Sequence, residues 1–144
     1  MHKVAEVSLC RGKYFVAAYN EVITGGAMID DLIVGLNSGD ENEMRLAVEG
    51  ALARSRFGIP VPPEPAEKQV PPMLKATGCR SWTELTRLSK IVDIHLENKV
   101  ITVTPMENGG RARGHVWINE AEMKIPEGSP DLGKTILQAF EVAT

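Results

Sequence analysis

The sequence predicts an α+β fold: a largely antiparallel sheet built from two hairpin-strand-helix units, with a Pro-rich helical connection between them. Three observations predict it. Two segments alternate with period 2 and fold back on themselves around two-residue loops. A segment of period 3.6 follows each hairpin at nearly the same distance. Between the halves lies a stretch holding six of the nine prolines. At 144 residues the chain suits one domain, 1–144, with its own core.

The first hairpin is "KVAEVSLCRGKYFVAAYN". A loop at Arg11-Gly12 sets Leu9 opposite Tyr14, Val7 opposite Val16 and Ala5 opposite Ala18. These pairs share one face, because alternate residues point the same way along a strand. The other face carries Ser8, Glu6 and Phe15 and is mixed. After "NSGDENE", Met44, Ala47, Val48, Ala51 and Leu52 form one helical stripe. Ser38 with Glu41 is a capping-box pattern, and Asp40 is a second candidate cap.

The connection "FGIPVPPEPAEKQVPPMLKATGCRSWTELTRLS" follows. Pro60 to Pro65 is expected to be extended, because proline fixes φ and lacks a donor. Pro71-Pro72 opens a short helix that Gly78 stops. Ser81 and Glu84 cap a second short helix carrying Trp82, Leu85 and Leu88. Together these form a covering arm.

In "IVDIHLENKVITVTP" a loop at Asn98-Lys99 pairs Leu96 with Ile101 and Ile94 with Val103. Asp93, His95, Thr102 and Thr104 take the opposite face. The last helix carries Leu132, Ile136, Ala139, Phe140 and Ala143, with Ser129-Pro130 as its start signal. Val7 maps onto Ile94 with an offset of 87, and Met44 onto Leu132 with an offset of 88. Gly25-Gly26 and Gly109-Gly110 occupy matching places. The halves 3–55 and 90–144 therefore read as a pseudo-repeat.

The formal net charge of −3 gives no whole-protein attraction to nucleic acid or to an anionic membrane. The apolar runs are too short to cross a bilayer, and the first residues lack the apolar core of a secretory leader. Cys10 and Cys79 are isolated in sequence, which fits reduced thiols in the cytoplasm and leaves one disulfide open.

Asp93-x-His95-x-Glu97 is the most tempting chemical site. Period 2 places all three on one strand face, with Cα atoms about 7 Å apart at each step. Such a row can bind a metal or move protons, but a half-solvated sheet face has the same pattern. The run "VTPMENGGRARGHVW" is neither a P-loop nor a dinucleotide fingerprint. Its glycines permit a reversal between strands. Arg111 and Arg113 can pair with acidic neighbours or grip a partner's carboxylates. Asp30 and Asp31 are adjacent, so they point to opposite faces of a strand and make a poor metal pair. They read as loop or strand-entry residues. No Ser, Thr or Cys sits in a nucleophile motif, so no catalytic residue is assigned, and no cofactor or metal is called.

The order "KVAEVSLCRGKYFVAAY", "ALARSRFGIPVP", "MLKATGCRSWTEL", "VDIHLENKVITVTPMEN" and "PDLGKTILQAF" resembles the contact-dependent growth inhibition (Cdi) immunity proteins along essentially the whole chain. That resemblance implies a cytoplasmic antidote that binds the C-terminal toxin domain delivered by a neighbouring bacterium. In relatives the toxin is typically a nuclease, and in one branch a toxin hairpin adds to the immunity protein's sheet. On this reading Glu107, Arg111, Arg113, His115 and Trp117 form a toxin-binding rim. Asp30, Asp31, Asp93, His95 and Glu97 add negative charge toward a basic nuclease. Two other readings compete: a small metal-dependent enzyme using Asp93, His95 and Glu97, and a homo-oligomeric module joined through sheet edges.

Overall fold

The computed structural model describes residues 2–63 and 69–144. Pro65, called extended from sequence, lies outside the described residues. Among the described residues the fold is α+β, with a mostly antiparallel seven-stranded sheet and five helices.

Strands β1 (His2–Cys10) and β2 (Lys13–Glu21) form the first hairpin, with Leu9, Val7 and Ala5 opposite Tyr14, Val16 and Ala18. Strands β4 (Ser89–Glu97) and β5 (Val100–Asn108) form the second, with Leu96 opposite Ile101 and Ile94 opposite Val103. Both registers are those read from the apolar pattern. Arg11 and Gly12 have φ of 53° and 76°, and Asn98 and Lys99 have 51° and 63°. Two successive positive φ angles match the right-handed twist of the strands they join.

The hairpins meet through their first strands, β1 against β4, antiparallel from His2↔Glu97 to Cys10↔Ser89. Strand β3 (Ala27–Leu36) adds outside β2 and ends the sheet on that side. On the other side β5 has two successive neighbours: β7 (Met123–Pro126) along Val100–Val103, and β6 (His115–Trp117) along Met106–Asn108. Pro105, which has no N–H to donate, sits where one neighbour gives way to the other. Its carbonyl accepts from Ile118 N at 2.9 Å.

Helices α1 (Glu41–Arg54) and α5 (Leu132–Val142) cover one face of the sheet. Met44, Val48, Ala51, Ile136, Ala139 and Phe140 pack there on Ala5, Val7, Val16, Ile94 and Val103. The helices approach so closely at Gly133 that a Cβ there would overlap the Glu41 backbone carbonyl. The α1 cap is Asp40, whose Oδ1 accepts from Glu43 N at 2.8 Å. Ser38 does not form the expected box with Glu41; its hydroxyl turns to Glu43 instead. The start signal before α5 also works one step away, with Ser129 Oγ accepting from Asp131 N at 3.2 Å.

The opposite face is covered over one end only. Helices α2 (Pro72–Thr77) and α3 (Trp82–Leu88) belong to the connection and supply Met73, Leu74 and Leu85. These close a second core with Cys10, Phe15, Ala17 and Cys79. Gly78, at φ 75°, ends α2, and Ser81 caps α3 by accepting from Glu84 N at 3.1 Å. The thiols of Cys10 and Cys79 are free and buried, 4.0 Å apart. Burial and the neighbouring thiol push Cys10 above its usual range. Among the described residues no helix is long and apolar enough to cross a membrane.

Candidate functional site

Beyond the reach of α2 and α3, the same sheet face opens into a cavity of about 480 Å³. Its polar floor arises from strand register. Glu6 on β1 and Asp93 on β4 are direct cross-strand partners, so their side chains leave the same face side by side. Tyr19 on β2 lines the same cavity. Burial and then the charge of Asp93 raise the Glu6 carboxyl to about 7, and hydrogen bonds from Tyr19 and Ser8 only partly oppose them. Burial and the Glu6 charge likewise push the Tyr19 phenol far above its usual range.

The walls are aromatic. The rings of His2 and His95 stack with centroids 4.9 Å apart, and His2 Nε2 lies 2.7 Å from His95 Nδ1. Trp117 meets His95 edge-on at 5.9 Å. Its Nε1 donates to Asp93 Oδ2 at 2.6 Å, while the ring stays 51% exposed. His95 Nε2 stands 3.9 Å from the same carboxylate oxygen.

The base of the cavity is pinned by the end of α1. Ser55 Oγ donates to Tyr19 O at 2.6 Å and accepts from Val4 N at 3.0 Å. Asn20 Oδ1 accepts from Arg56 N at 2.8 Å. Glu21 N and Ile59 N then bond across to Arg56 O and Glu21 O, which holds the 56–59 segment beside the mouth.

The structure gathers three of the sequence-nominated residues here: Asp93, His95 and Trp117. The others lie elsewhere. Glu97 is exposed at the far end of β4, opposite His2. Glu107 is exposed on β5, and His115 turns its Nε2 to Ser89 O at 3.0 Å. The "GGRARG" loop contains a single helical turn, α4 (Gly110–Arg113), before the chain reverses into β6. Arg111 and Arg113 are exposed on it, and Arg111 lines a separate groove with Trp82 and Arg87. Asp30 and Asp31 are not loop or strand-entry residues. They sit inside β3, where the register against β2 shifts between Ala17 and Tyr19. Asp30 Oδ2 lies 3.6 Å from Arg54 Nε, and Asp31 is exposed.

Sequence reasoning missed His2, Glu6 and Tyr19. His2 and Glu6 meet the β4 residues only through the pairing of β1 with β4, which neither hairpin pattern contains, while Tyr19 lies opposite Val4 within the first hairpin. Among the described residues no group of three or more His, Cys, Asp or Glu side chains is arranged to hold a metal. Asp93 and His95 meet, but Glu97 does not join them. What the cavity offers chemically is a pair of adjacent carboxyl groups at the bottom of an aromatic-walled pocket.

No family model matches the sequence, and no curated protein matches it. Solved structures share the fold, two of them end to end. One is a Neisseria meningitidis protein of unknown function, at TM-score 0.75 and 17% identity, covering 100% of this chain and 96% of that one. The other is a chain of the CdiA-CT/CdiI toxin and immunity complex from Yersinia pseudotuberculosis. It aligns at TM-score 0.73 and 15% identity, covering 100% of this chain and 98% of that one.

Proposed function

We propose that this chain is an immunity protein. It binds the C-terminal toxin domain of a contact-dependent growth inhibition system in the cytoplasm and neutralises it by protein–protein contact. The observation that supports this most is the shared fold, end to end, with a chain of a toxin and immunity complex.

The surface supplies the means. β3 ends the sheet with an unpaired outer edge among the described residues, ten residues long and exposed at half of them. An edge of this kind accepts an added strand, whose backbone supplies affinity while neighbouring pockets supply specificity. The cavity on the half-covered face, which Ala27 of β3 helps to line, is such a pocket. Its acidic floor and the net charge of −3 suit a basic partner such as a nuclease.

The test is to mix the protein with the product of the gene immediately upstream. We expect a one-to-one complex by light scattering, a raised melting temperature and loss of the partner's nuclease activity in the same tube. Alanine at Arg111, Arg113 and Trp117 together is expected to weaken that complex. Separate elution with unchanged melting temperature sinks the reading.

A further inference from the structure

Among the described residues the Glu6–Asp93 floor has no Lys or Arg partner, and the one basic side chain in contact with it is His95, 3.9 Å from Asp93 Oδ2. Arg11 and Arg80 pair with Glu84, Arg45 with Glu49, Arg54 with Asp30, and Lys124 with Glu122. Arg56 lines the same cavity, yet among the described residues no Lys or Arg forms an ion pair with Glu6 or Asp93. Two partly buried acids held side by side repel one another, and burial adds to the cost. Packing does not require them, because the second core closes without either.

We propose that this cavity is a receptor for a guanidinium group: it takes one arginine side chain presented by the bound toxin domain. This deepens the immunity reading and rests on it for the identity of the donor. Three features select the chemistry. The two carboxyl groups come from different strands, so a planar fork of five N–H donors bridges them where a compact ammonium reaches only one well. The walls are ring faces and edges, namely His95, Trp117 and Tyr19, on which a guanidinium stacks. Trp117 is held in place by its bond to Asp93 rather than by burial, so its ring is fixed while half of it remains open. A volume of about 480 Å³ holds one long side chain with its flanking backbone left outside.

The experiment uses the full chain and three probes: N-acetyl-arginine methylamide, the lysine analogue and the neutral norleucine analogue. Each is titrated while the Trp117 Nε1–H resonance is followed. We expect a saturable millimolar shift with arginine, about tenfold weaker response to lysine and none to norleucine. Glu6→Gln with Asp93→Asn keeps the shapes and removes both acids, and it is expected to abolish the arginine response while a cooperative melting transition checks that it is folded. The same double variant is expected to weaken the complex with the upstream gene product by about 100-fold or more.

The outcomes separate two failures. No saturable arginine response, or an equal response to norleucine, overturns the receptor whatever the toxin does. An equal response to lysine overturns the choice of guanidinium. An arginine response that the double variant abolishes, in a protein that binds no upstream product, leaves the receptor standing and removes the immunity reading.

Discussion

The two faces of the sheet are built from the same strands and finished in opposite ways. Under α1 and α5 the strands turn Ala5, Val7, Val16, Ala18, Val92, Ile94, Ile101 and Val103 into one apolar core. Under α2 and α3 the cover stops part-way, and beyond it the strands present Glu6, Tyr19, Asp93 and His95 to a cavity. One strand thus supplies stability upward and chemistry downward. On the first face side chains are fixed by packing, and on the second by hydrogen bonds among themselves. Stability and recognition should therefore respond to different substitutions, in opposite directions at some positions.

The largest effect is expected where the covered face is tightest. Gly133 lies against the Glu41 carbonyl with no room for a Cβ. Gly133→Ala must push α5 away from α1 and loosen the main core between them. We expect a loss of about 3 kcal/mol or more in denaturant unfolding, although alanine is the better helix former. A neutral or stabilising Gly133→Ala would show that the helices slide freely, and that this face is not the rigid one.

The open face should give the reverse result. Glu6 is raised from 4.5 to about 7 by burial and by Asp93. The folded protein therefore binds a proton that the unfolded chain has released between these values. Stability is highest below about pH 4.5 on this account and falls as pH rises toward 7. Glu6→Gln removes that penalty. Above pH 7 it should stabilise the fold by on the order of 2–3 kcal/mol, and near pH 4 it should change little. The pH profile of urea unfolding checks this. A variant less stable at pH 8 would mean that the Glu6 carboxylate is supported by its surroundings, and that the floor is no reservoir of strain.

The same division explains what could be read in the sequence. Both hairpin registers follow from period-2 patterning, because a one-residue slip would turn Val7, Val16, Ile94 and Val103 to the wrong face. The α1 and α5 stripes and the caps at Asp40 and Ser81 are local in the same way. The cavity is not local. It depends on β1 lying beside β4, with His2 opposite Glu97 and Cys10 opposite Ser89, and neither hairpin encodes that neighbour. One trace was present: the offset of 87 that superposes the hairpin patterns also carries Glu6 onto Asp93, the pair that meets across the strands. Asp30 and Asp31 misled for another reason. An acid pair in an apolar run looks like a strand entry, and a register shift inside β3 has no signature in composition.

The smallest effect compares the two covers directly through their caps. Asp40 and Ser81 each accept from a backbone N–H three residues on, at 2.8 and 3.1 Å. Replacing either by Ala removes one bond of the same kind, at about 1 kcal/mol. The consequences should differ because the helices do. α1 has 14 residues and packs on α5 and the sheet, so Asp40→Ala should lower global stability and every slow-exchanging amide together. α3 has seven residues and buries one of them, Leu85. Ser81→Ala should therefore speed hydrogen exchange in α2 and α3 and leave the amides of α1, α5, β1 and β4 nearly unchanged. That would make the connection a cover able to open over the second core without unfolding the first. Uniform loss of protection in both variants would make the two faces a single cooperative unit, with the difference between them confined to chemistry.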